Sequence, residues 1–311
     1  MPQFPLCSEF IPLLDTVKNQ LAGLKDLSQE FLRFGDDATK QKALMKSQEL
    51  EKTKQRLVEL KEQPTDFEGH QIPRIEKELL VFFRNKLSDD LKYEVSKGIV
   101  SKINVSNSNK PAVVLAECWQ YLKLFGDLQR LDCRNTQLTA LPEILPVGLQ
   151  RLDCSNTQLT ALPETLPVGL QELSCSHTQL TALPETLPDS LQRLYCYNTQ
   201  LTALPKTLPV GLQELDCSYT QLTALPKTLP DSLQRLDCHN TQLTALPETL
   251  PDSLQRLSCS NTQLTALPET LPVGLQELYC SGTPAAKNPA TRKQLEEFKE
   301  NHPSFRYIKR A

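Results

Sequence analysis

The stretch LQRLDCSNTQLTALPETLPVG, residues 149–169, decides the fold because near-copies of it follow one another along much of the chain. Positions within a copy are numbered here from its first leucine. A fixed period of this length is typical of solenoids, in which one supersecondary unit stacks on itself. Each copy has 21 residues, and the copies begin at Leu128, Leu149, Leu170, Leu191, Leu212, Leu233, Leu254 and, for a truncated eighth copy, Leu275.

The two halves of a copy predict different backbone conformations. The first half, L-x-x-L-x-C-x-x-T-x-L, alternates apolar and polar residues, which favours a short strand. The second half, L-P-E-T-L-P, has two prolines four residues apart, and this spacing excludes an α-helix. Successive copies join through Val-Gly or Asp-Ser pairs, both of which suit turns. The sequence therefore predicts a parallel-β solenoid with an extended return side and strands about 4.8 Å apart.

A cysteine occupies position six of every copy, in an apolar slot of the predicted strand. Stacked strands hold equivalent side chains roughly 4.7–4.9 Å apart, whereas a disulfide needs Cβ atoms at about 3.5–4.5 Å and a specific torsion. We interpret the cysteines as reduced, buried, small hydrophobic residues. A ladder of soft-metal ligands is the alternative. Reduced thiols indicate a reducing compartment. The eight residues are Cys133, Cys154, Cys175, Cys196, Cys217, Cys238, Cys259 and Cys280.

The chain outside the repeats favours helices, so the predicted fold class is α+β. Residues 1–126 form a predicted helical domain, residues 127–283 the solenoid, and residues 284–311 a C-terminal helical cap. In the cap, Asn288 and Pro289 predict a helix start, and residues 304–308 a short closing strand. The helical domain has predicted helices at about 38–61, 74–87, 88–103 and 112–125, a linker at 64–73, and an earlier helix with the apolar stripe Leu14, Val17, Leu21, Leu24 and Phe31.

Composition and motifs exclude several functional classes. The formal net charge of −3 over 311 residues gives no general reason to expect nucleic acid or an anionic membrane as a partner. No apolar run approaches the ~18–20 residues that span a bilayer, and we expect no cleaved signal peptide. There is no phosphate-binding glycine loop, no H-E-x-x-H and no G-x-S-x-G. The four histidines lack metal-ligand spacing. We therefore expect no catalytic residues, no cofactor and no metal.

The repeat framework, with L-P-x-x-L-P after the strand, resembles the short bacterial leucine-rich repeats of YopM- and IpaH-like effector proteins. The resemblance covers residues 128–283. It implies a leucine-rich-repeat fold and delivery from the bacterial cytoplasm into the reducing cytoplasm of a host cell, where the partner is a host protein. The family usually places asparagine at position nine, where it bonds to backbone. This chain has threonine there, as in Thr136, and its hydroxyl is expected to take over that role.

The resemblance also sets expectations about what is absent. IpaH-like proteins add a large ubiquitin-ligase domain with a catalytic Cys-x-Asp. Only about 28 residues follow the repeats here, and neither Cys7 nor Cys118 is followed by that pattern. We therefore expect repeats without ligase activity. The glutamate-rich residues 294–300 resemble the C-terminal signal of type IV secretion substrates, with an ordinary amphipathic cap helix as the alternative.

Positions that vary between otherwise identical copies are candidates for binding, because the scaffold does not require the variation. At positions three and five, arginines alternate with glutamates and aspartates, which predicts a self-neutralising charge ladder on the outer face. Aromatic residues and histidines break this pattern. Tyrosine is enriched at binding hot spots; drift among duplicated copies is the alternative. The predicted protein-binding residues of the concave face are Tyr195, Tyr197, Tyr219, His177, His239, Arg193 and Tyr279.

The sequence thus predicts a non-catalytic protein-binding protein, a secreted effector that engages a host protein and is monomeric. One alternative is a two-sided adaptor, in which residues 1–126 bind a second partner. Another is an enzyme whose activity lies in that helical domain.

Overall fold

The computed structural model describes residues 37–62 and 64–308, and the chain divides into two compact units. The first unit comprises residues up to 88 together with 94–100, and the second comprises 89–93 and everything from 101 onward. This division falls before residue 126, where the sequence places the end of the helical domain. The predicted helix with the stripe Leu14 to Phe31 lies outside the described residues, as does Cys7.

The first unit contains a hairpin where the sequence predicts a linker. Helix α1 spans Asp37–Glu62 and helix α2 spans Arg74–Leu87. Between them, β1 (Pro64–Phe67) pairs antiparallel with β2 (His70–Pro73). The two loop residues Glu68 and Gly69 have φ of 52° and 81°. The linker prediction for residues 64–73 is therefore wrong.

The predicted helix at residues 88–103 is also replaced by strands. A 3-10 turn covers Ser88–Asp90, and β3 (Lys92–Ser96) and β4 (Ile99–Asn104) follow. Lys97 and Gly98, which join them, have φ of 52° and 75°. The next predicted helix is shorter than expected: α3 spans Ala112–Trp119, and a 3-10 turn covers Leu122–Leu124. Residues 1–126 are therefore not purely helical.

Each repeat contributes a three-residue strand at positions three to five. Adjacent repeat strands pair in parallel and in register, so that residues 21 apart are neighbours, as Arg193 and Glu214 are. The eleven-stranded sheet runs in chain order from β3 to a last strand, β13 (Arg306–Ile308), and β4 pairs with the first repeat strand. The repeat strands are β5 (Arg130–Asp132), β6 (Arg151–Asp153), β7 (Glu172–Ser174), β8 (Arg193–Tyr195), β9 (Glu214–Asp216), β10 (Arg235–Asp237), β11 (Arg256–Ser258) and β12 (Glu277–Tyr279).

The apolar positions of each copy form the core, as predicted. In the copy that begins at Leu191, the inner side chains of Leu194, Cys196 and Leu201 are fully buried. Thr199, at position nine, is also buried and donates its hydroxyl to the carbonyl of Cys196 at 2.8 Å. The predicted replacement of the family's asparagine by a threonine–backbone hydrogen bond is therefore confirmed. No helix is assigned between the repeat strands, in keeping with the paired prolines.

The cysteine row is chemically quiet. All eight ladder cysteines are buried and unpaired in disulfides, and the thiol of Cys154 lies 3.3 Å from the carbonyl oxygen of Ser174 on the next strand. Burial raises the pKa of the Cys175 thiol to about 12, because a thiolate is unfavourable in an apolar interior. The interpretation as reduced, small hydrophobic residues is confirmed for this row.

Two helices and one strand follow the last repeat. Helix α4 spans Pro284–Lys287, and α5 spans Pro289–Asn301 with the Asn288 side chain accepting the N–H of Ala290. Strand β13 (Arg306–Ile308) then pairs in parallel with β12. Both the helix start at Pro289 and the closing strand agree with the sequence prediction.

Candidate protein-binding surface

The outer face of the sheet carries the predicted charge ladder. Glu172 on β7 lies between two arginines: Nε of Arg151 is 3.5 Å from its Oε2, and Nη2 of Arg193 is 2.8 Å from the same atom. Farther along, Nη1 of Arg256 contacts Oε2 of Glu277 at 3.0 Å. Cross-strand pairs of this kind are worth about 0.2–1 kcal/mol each. Arg193, one of the predicted site residues, is therefore part of this ladder.

Tyr195 also belongs to the outer face. Its hydroxyl donates to Oε2 of Glu214 on the neighbouring strand at 2.7 Å. Burial raises the pKa of Tyr195, and the hydrogen bond to Glu214 adds to the rise because ionising the phenol would lose it. The hydroxyl is thus committed to the scaffold, while the half-buried ring is still available for contact.

The other candidate residues lie where the strands end, at positions seven and eight, which together we call the edge row. Position eight adopts the left-handed conformation in every copy, with φ near 53° in most. Asparagine and glycine tolerate this conformation best among the residues. Five of the eight copies have asparagine there, and the last has Gly282. The exceptions are His177 and Tyr219, with φ of 55° and 53°.

A backbone hydrogen bond brings position eight of one copy against position seven of the next. The N–H of His177 donates to the carbonyl of Tyr197 at 3.0 Å, and the N–H of Tyr219 donates to that of His239 at 2.9 Å. The same bond recurs at the asparagines, for example from Asn198 to Ser218 at 2.9 Å. The repeat itself therefore places the side chains at these two positions next to each other.

Two edge-to-face ring pairs result. The rings of His177 and Tyr197 have centroids 5.0 Å apart and planes at 82°. Those of Tyr219 and His239 are 5.1 Å apart with planes at 79°. Such pairs contribute about 0.5–1.5 kcal/mol beyond the burial of their area. The two pairs are offset by two repeats, with the order of histidine and tyrosine reversed.

Serine and asparagine flank the ring pairs on both sides of the edge row. Position seven is serine in the copies directly before and after the ring pairs. At position eight, asparagine amides of successive copies bond to one another, as from Asn156 to Asn135 at 2.6 Å and from Asn261 to Asn240 at 3.1 Å. His177 continues this ladder by contacting the amide of Asn198. Tyr219 has no amide to offer, and its side chain is 56% exposed. The aromatic residues are therefore confined to the middle of the row.

Tyr279 is not part of this cluster. It lies on β12, four repeats beyond Tyr195, with its hydroxyl donating to Glu277 at 3.0 Å and the guanidinium of Arg256 4.8 Å from its ring centre. The structure therefore brings together His177, Tyr197, Tyr219 and His239 as two pairs, places Tyr195 and Arg193 on the adjoining face, and leaves Tyr279 apart. That Tyr219 and His177 share a left-handed position was missed, although the asparagines and Gly282 at that position signal it.

Other functional classes receive no support from the described residues. Within residues 37–62 and 64–308, no helix has the length and apolarity to cross a bilayer. In the same part of the chain, no group of histidine, cysteine, aspartate and glutamate side chains has the geometry to hold a metal ion.

Comparison with known proteins gives similarity at the level of structure. No protein-family model matches the chain, and no curated protein matches it. YopM from Yersinia enterocolitica WA-314 is 35% identical over 51% of this chain and 38% of that chain, with a TM-score of 0.44. InlP from Listeria monocytogenes is 21% identical over 59% of this chain and 56% of that one, with a TM-score of 0.50. A chain of the octameric complex of Latrophilin 3, Unc5D and the FLRT2 leucine-rich repeats is 19% identical over 70% of this chain and 85% of that chain, with a TM-score of 0.51.

The last two similarities, with the repeat geometry, establish the fold. The second unit is a leucine-rich-repeat solenoid. Leucine-rich-repeat solenoids are typically scaffolds for protein interaction. The chain spans 38% of the length of the YopM structure that it matches.

Proposed function

We propose that this protein is a non-catalytic effector that binds a host protein through the middle of its concave face and the adjoining edge row. One observation carries the proposal: in copies three to six, tyrosines and histidines replace the serines and asparagines that the repeat otherwise uses. Two of the replacements, His177 and Tyr219, occupy a left-handed position. Histidine is one of the residues found there more often than most, whereas a tyrosine ring costs on the order of 1 kcal/mol. Such strain is expected to persist where the side chain serves a purpose other than folding.

The chemistry of the edge row suits protein recognition. Tyrosine offers a large rigid surface at low entropic cost together with a hydroxyl. The ring pairs hold their members in fixed geometry before a partner arrives, which lowers the ordering cost of binding. Tyr219 presents more than half of its surface to solvent. These features support a pre-organised aromatic patch flanked by polar side chains.

The experiment that tests the proposal is capture of the partner from host-cell lysate, followed by mass spectrometry. Tyr195, Tyr197 and Tyr219 are replaced together by alanine in the full-length chain. Capture of the specific partner should be abolished while the circular dichroism spectrum is unchanged. Tyr279→Ala is the matched control for Tyr195, since it removes the same side chain at the same repeat position four repeats away. Undiminished capture by the triple variant would refute the assignment.

Delivery and capping belong to the same proposal. The resemblance to YopM- and IpaH-like repeats supports secretion into a host cell, and the glutamate-rich residues 294–300 support a type IV route. Residues 284–308 are proposed to cap the solenoid. The N–H of Ala285 donates to the carbonyl of Leu264 at 2.7 Å, Gln294 donates to the carbonyl of Pro268 at 2.6 Å, and Phe305 is buried. Without such a cover the last repeat would expose its apolar interior.

A two-sided adaptor is the second candidate, and the division into two compact units favours it. Helix α1 exposes Leu44 and Met45. If the first unit binds a second partner through α1, Leu44→Ser with Met45→Ser removes that partner and leaves capture through the tyrosines intact. Loss of neither or both partners in this variant would contradict the adaptor.

A further inference from the structure

Strand β9 differs from the other repeat strands in its charge. All eight repeat strands lie in the described part of the chain, and β9 alone has two carboxylates, Glu214 and Asp216, and no arginine. It lies in the middle of the surface described above, directly before Tyr219. The local negative charge is therefore concentrated where the aromatic residues are.

The neighbouring arginines direct their hydrogen bonds to carboxylates of strands other than β9. Arg193 on β8 donates both Nε and Nη2 to Glu172, at 3.0 and 2.8 Å. Arg235 on β10 donates to Asp237 at 2.9 Å. Both arginines are register neighbours of Glu214, yet each hydrogen-bonds to a different carboxylate.

The two carboxylates of β9 accept hydrogen bonds from neutral groups instead. Glu214 accepts from the hydroxyl of Tyr195 at 2.7 Å. Asp216 accepts from the N–H of Ser218 at 3.0 Å and from its hydroxyl at 2.6 Å. Burial raises the pKa of Asp216, because a half-buried carboxylate loses part of its hydration. A cation reaching β9 would relieve this unfavourable charge.

The chain itself shows which cation suits such a site. At β11 and β12, the guanidinium of Arg256 lies 4.8 Å from the ring centre of Tyr279 and bonds to Glu277 at 3.0 Å. The hydroxyl of Tyr279 donates to that same carboxylate at 3.0 Å. Tyr195 and Glu214 repeat the combination of phenol and carboxylate across β8 and β9. Among the described residues, no guanidinium hydrogen-bonds to Glu214 or stacks on the ring of Tyr195. Arginine is well matched to this combination, because its planar fork binds carboxylates and also stacks on aromatic rings.

We infer that the partner inserts an arginine side chain at β9, where its guanidinium contacts Glu214 and Asp216 beside the tyrosine rings. The inference rests on the proposed function, since it identifies the chemistry that the same surface recognises. The partner segment is therefore basic where it meets β9. Its arginine takes the role towards Tyr195 and Glu214 that Arg256 takes towards Tyr279 and Glu277 within the chain.

The test selects peptides from a phage-displayed random library on the immobilised full-length protein. Recovered peptides should be enriched in arginine, and replacing that arginine by glutamine in a synthetic copy should abolish binding. The Glu214→Gln, Asp216→Asn variant should bind the synthetic peptide more weakly by about ten-fold or more. Both amides still accept the hydrogen bonds of Tyr195 and Ser218, so the change removes charge alone. Asp132→Asn with Asp153→Asn is the matched control on the first two repeat strands, and it should change binding by less than about two-fold.

The outcomes separate this inference from the proposed function. Peptides without arginine whose binding is lost in the triple tyrosine variant would overturn the inference and leave the surface assignment standing. Arginine peptides that bind the Glu214→Gln, Asp216→Asn variant as well as the original chain would overturn it too, as would a library from which nothing is retained. Peptides whose binding survives the triple tyrosine variant would contradict the surface assignment itself.

Discussion

The inner row and the edge row belong to the same repeats, yet they obey different rules. On the inner side, the residues at positions four and six are leucine and cysteine in every copy, and all of them are buried. On the edge row, position seven is arginine, serine, tyrosine or histidine, and position eight is asparagine, histidine, tyrosine or glycine. Backbone hydrogen bonds between copies hold both rows alike. The two rows therefore differ in what their side chains do, because backbone hydrogen bonds join successive copies in both of them.

The contrast teaches where the sequence is constrained by folding and where it is not. An inner side chain must fit a close-packed interior of fixed spacing, so every copy has the same residues at these positions. An edge side chain must only tolerate the left-handed turn, and asparagine does so at little cost. Tyr219 and His177 tolerate it less well. Their presence is what the folding rules leave unexplained and what the proposed binding role would account for.

Alkaline pH should destabilise the protein through the buried cysteines of the inner row, and this is the largest effect expected. Burial raises the pKa of the Cys175 thiol from its ordinary 9.0 to about 12, so the unfolded chain releases thiol protons before the folded chain does. The buried thiols then make their full contribution to the free energy of unfolding below pH 9, and this contribution falls as the pH rises towards 12. The fall is up to about 1.4 kcal/mol per pH unit for each thiol. Urea unfolding at a series of pH values measures it.

The control for this prediction removes thiols without opening the surface. A Cys196→Ala, Cys217→Ala variant is less stable at neutral pH but loses less stability per pH unit above pH 9. An equal loss per pH unit in the variant and the original chain would show that the buried thiols are not responsible.

Truncation of one inner leucine should come next in size. Leu194→Ala removes a fully buried side chain, and such changes cost about 2–5 kcal/mol in free energy of unfolding. Tyr197→Ala in the same copy alters only the edge row and should cost much less. Guanidinium unfolding of both variants measures the difference. Similar costs for the two would mean that the edge row contributes to folding as much as the core does.

Exchange of residues at position eight should have the smallest effect on stability. Tyr219→Asn places the favoured residue in the left-handed turn but removes the ring pair with His239. The two effects offset, so the free energy of unfolding should change by less than about 1 kcal/mol. Asn240→Tyr adds the strain one copy later, where Ser260 offers no ring, and should lower the free energy of unfolding by about 1 kcal/mol. Thermal unfolding of the two variants measures both changes; a larger loss in Tyr219→Asn than in Asn240→Tyr would contradict the account of strain at this position.

The solenoid was predictable because its signal is repeated. Register follows from Cys196 and its equivalents, which fix the inward positions, and the prolines of the return segment exclude helix by simple sterics. The contacts within the edge row were not predictable to the same degree. The sequence identifies Tyr197 and His177 as exceptions. Their pairing depends on a backbone hydrogen bond between successive copies, which the residue types alone do not predict.

The two hairpins differ from the sequence predictions, which place a linker at residues 64–73 and a helix at residues 88–103. Glu68–Gly69 and Lys97–Gly98 each form a two-residue loop with positive φ at both residues. A glycine at the second position of such a loop is a strong hairpin signal. Residues 92–96 also alternate between exposed and half-buried, as a strand does. The apolar residues of this segment fit either period, and the turn decides between them.

The most direct test of the central claim returns the edge row to the pattern of the other repeats. His177→Asn with Tyr219→Asn gives both copies the asparagine that the left-handed turn favours. The account predicts a free energy of unfolding within about 1 kcal/mol of that of the original chain, because relief of the left-handed strain offsets loss of the ring pairs, together with loss of partner capture from host lysate. A variant that is as stable as the original and captures the partner equally well would contradict the claim that these side chains are present for binding.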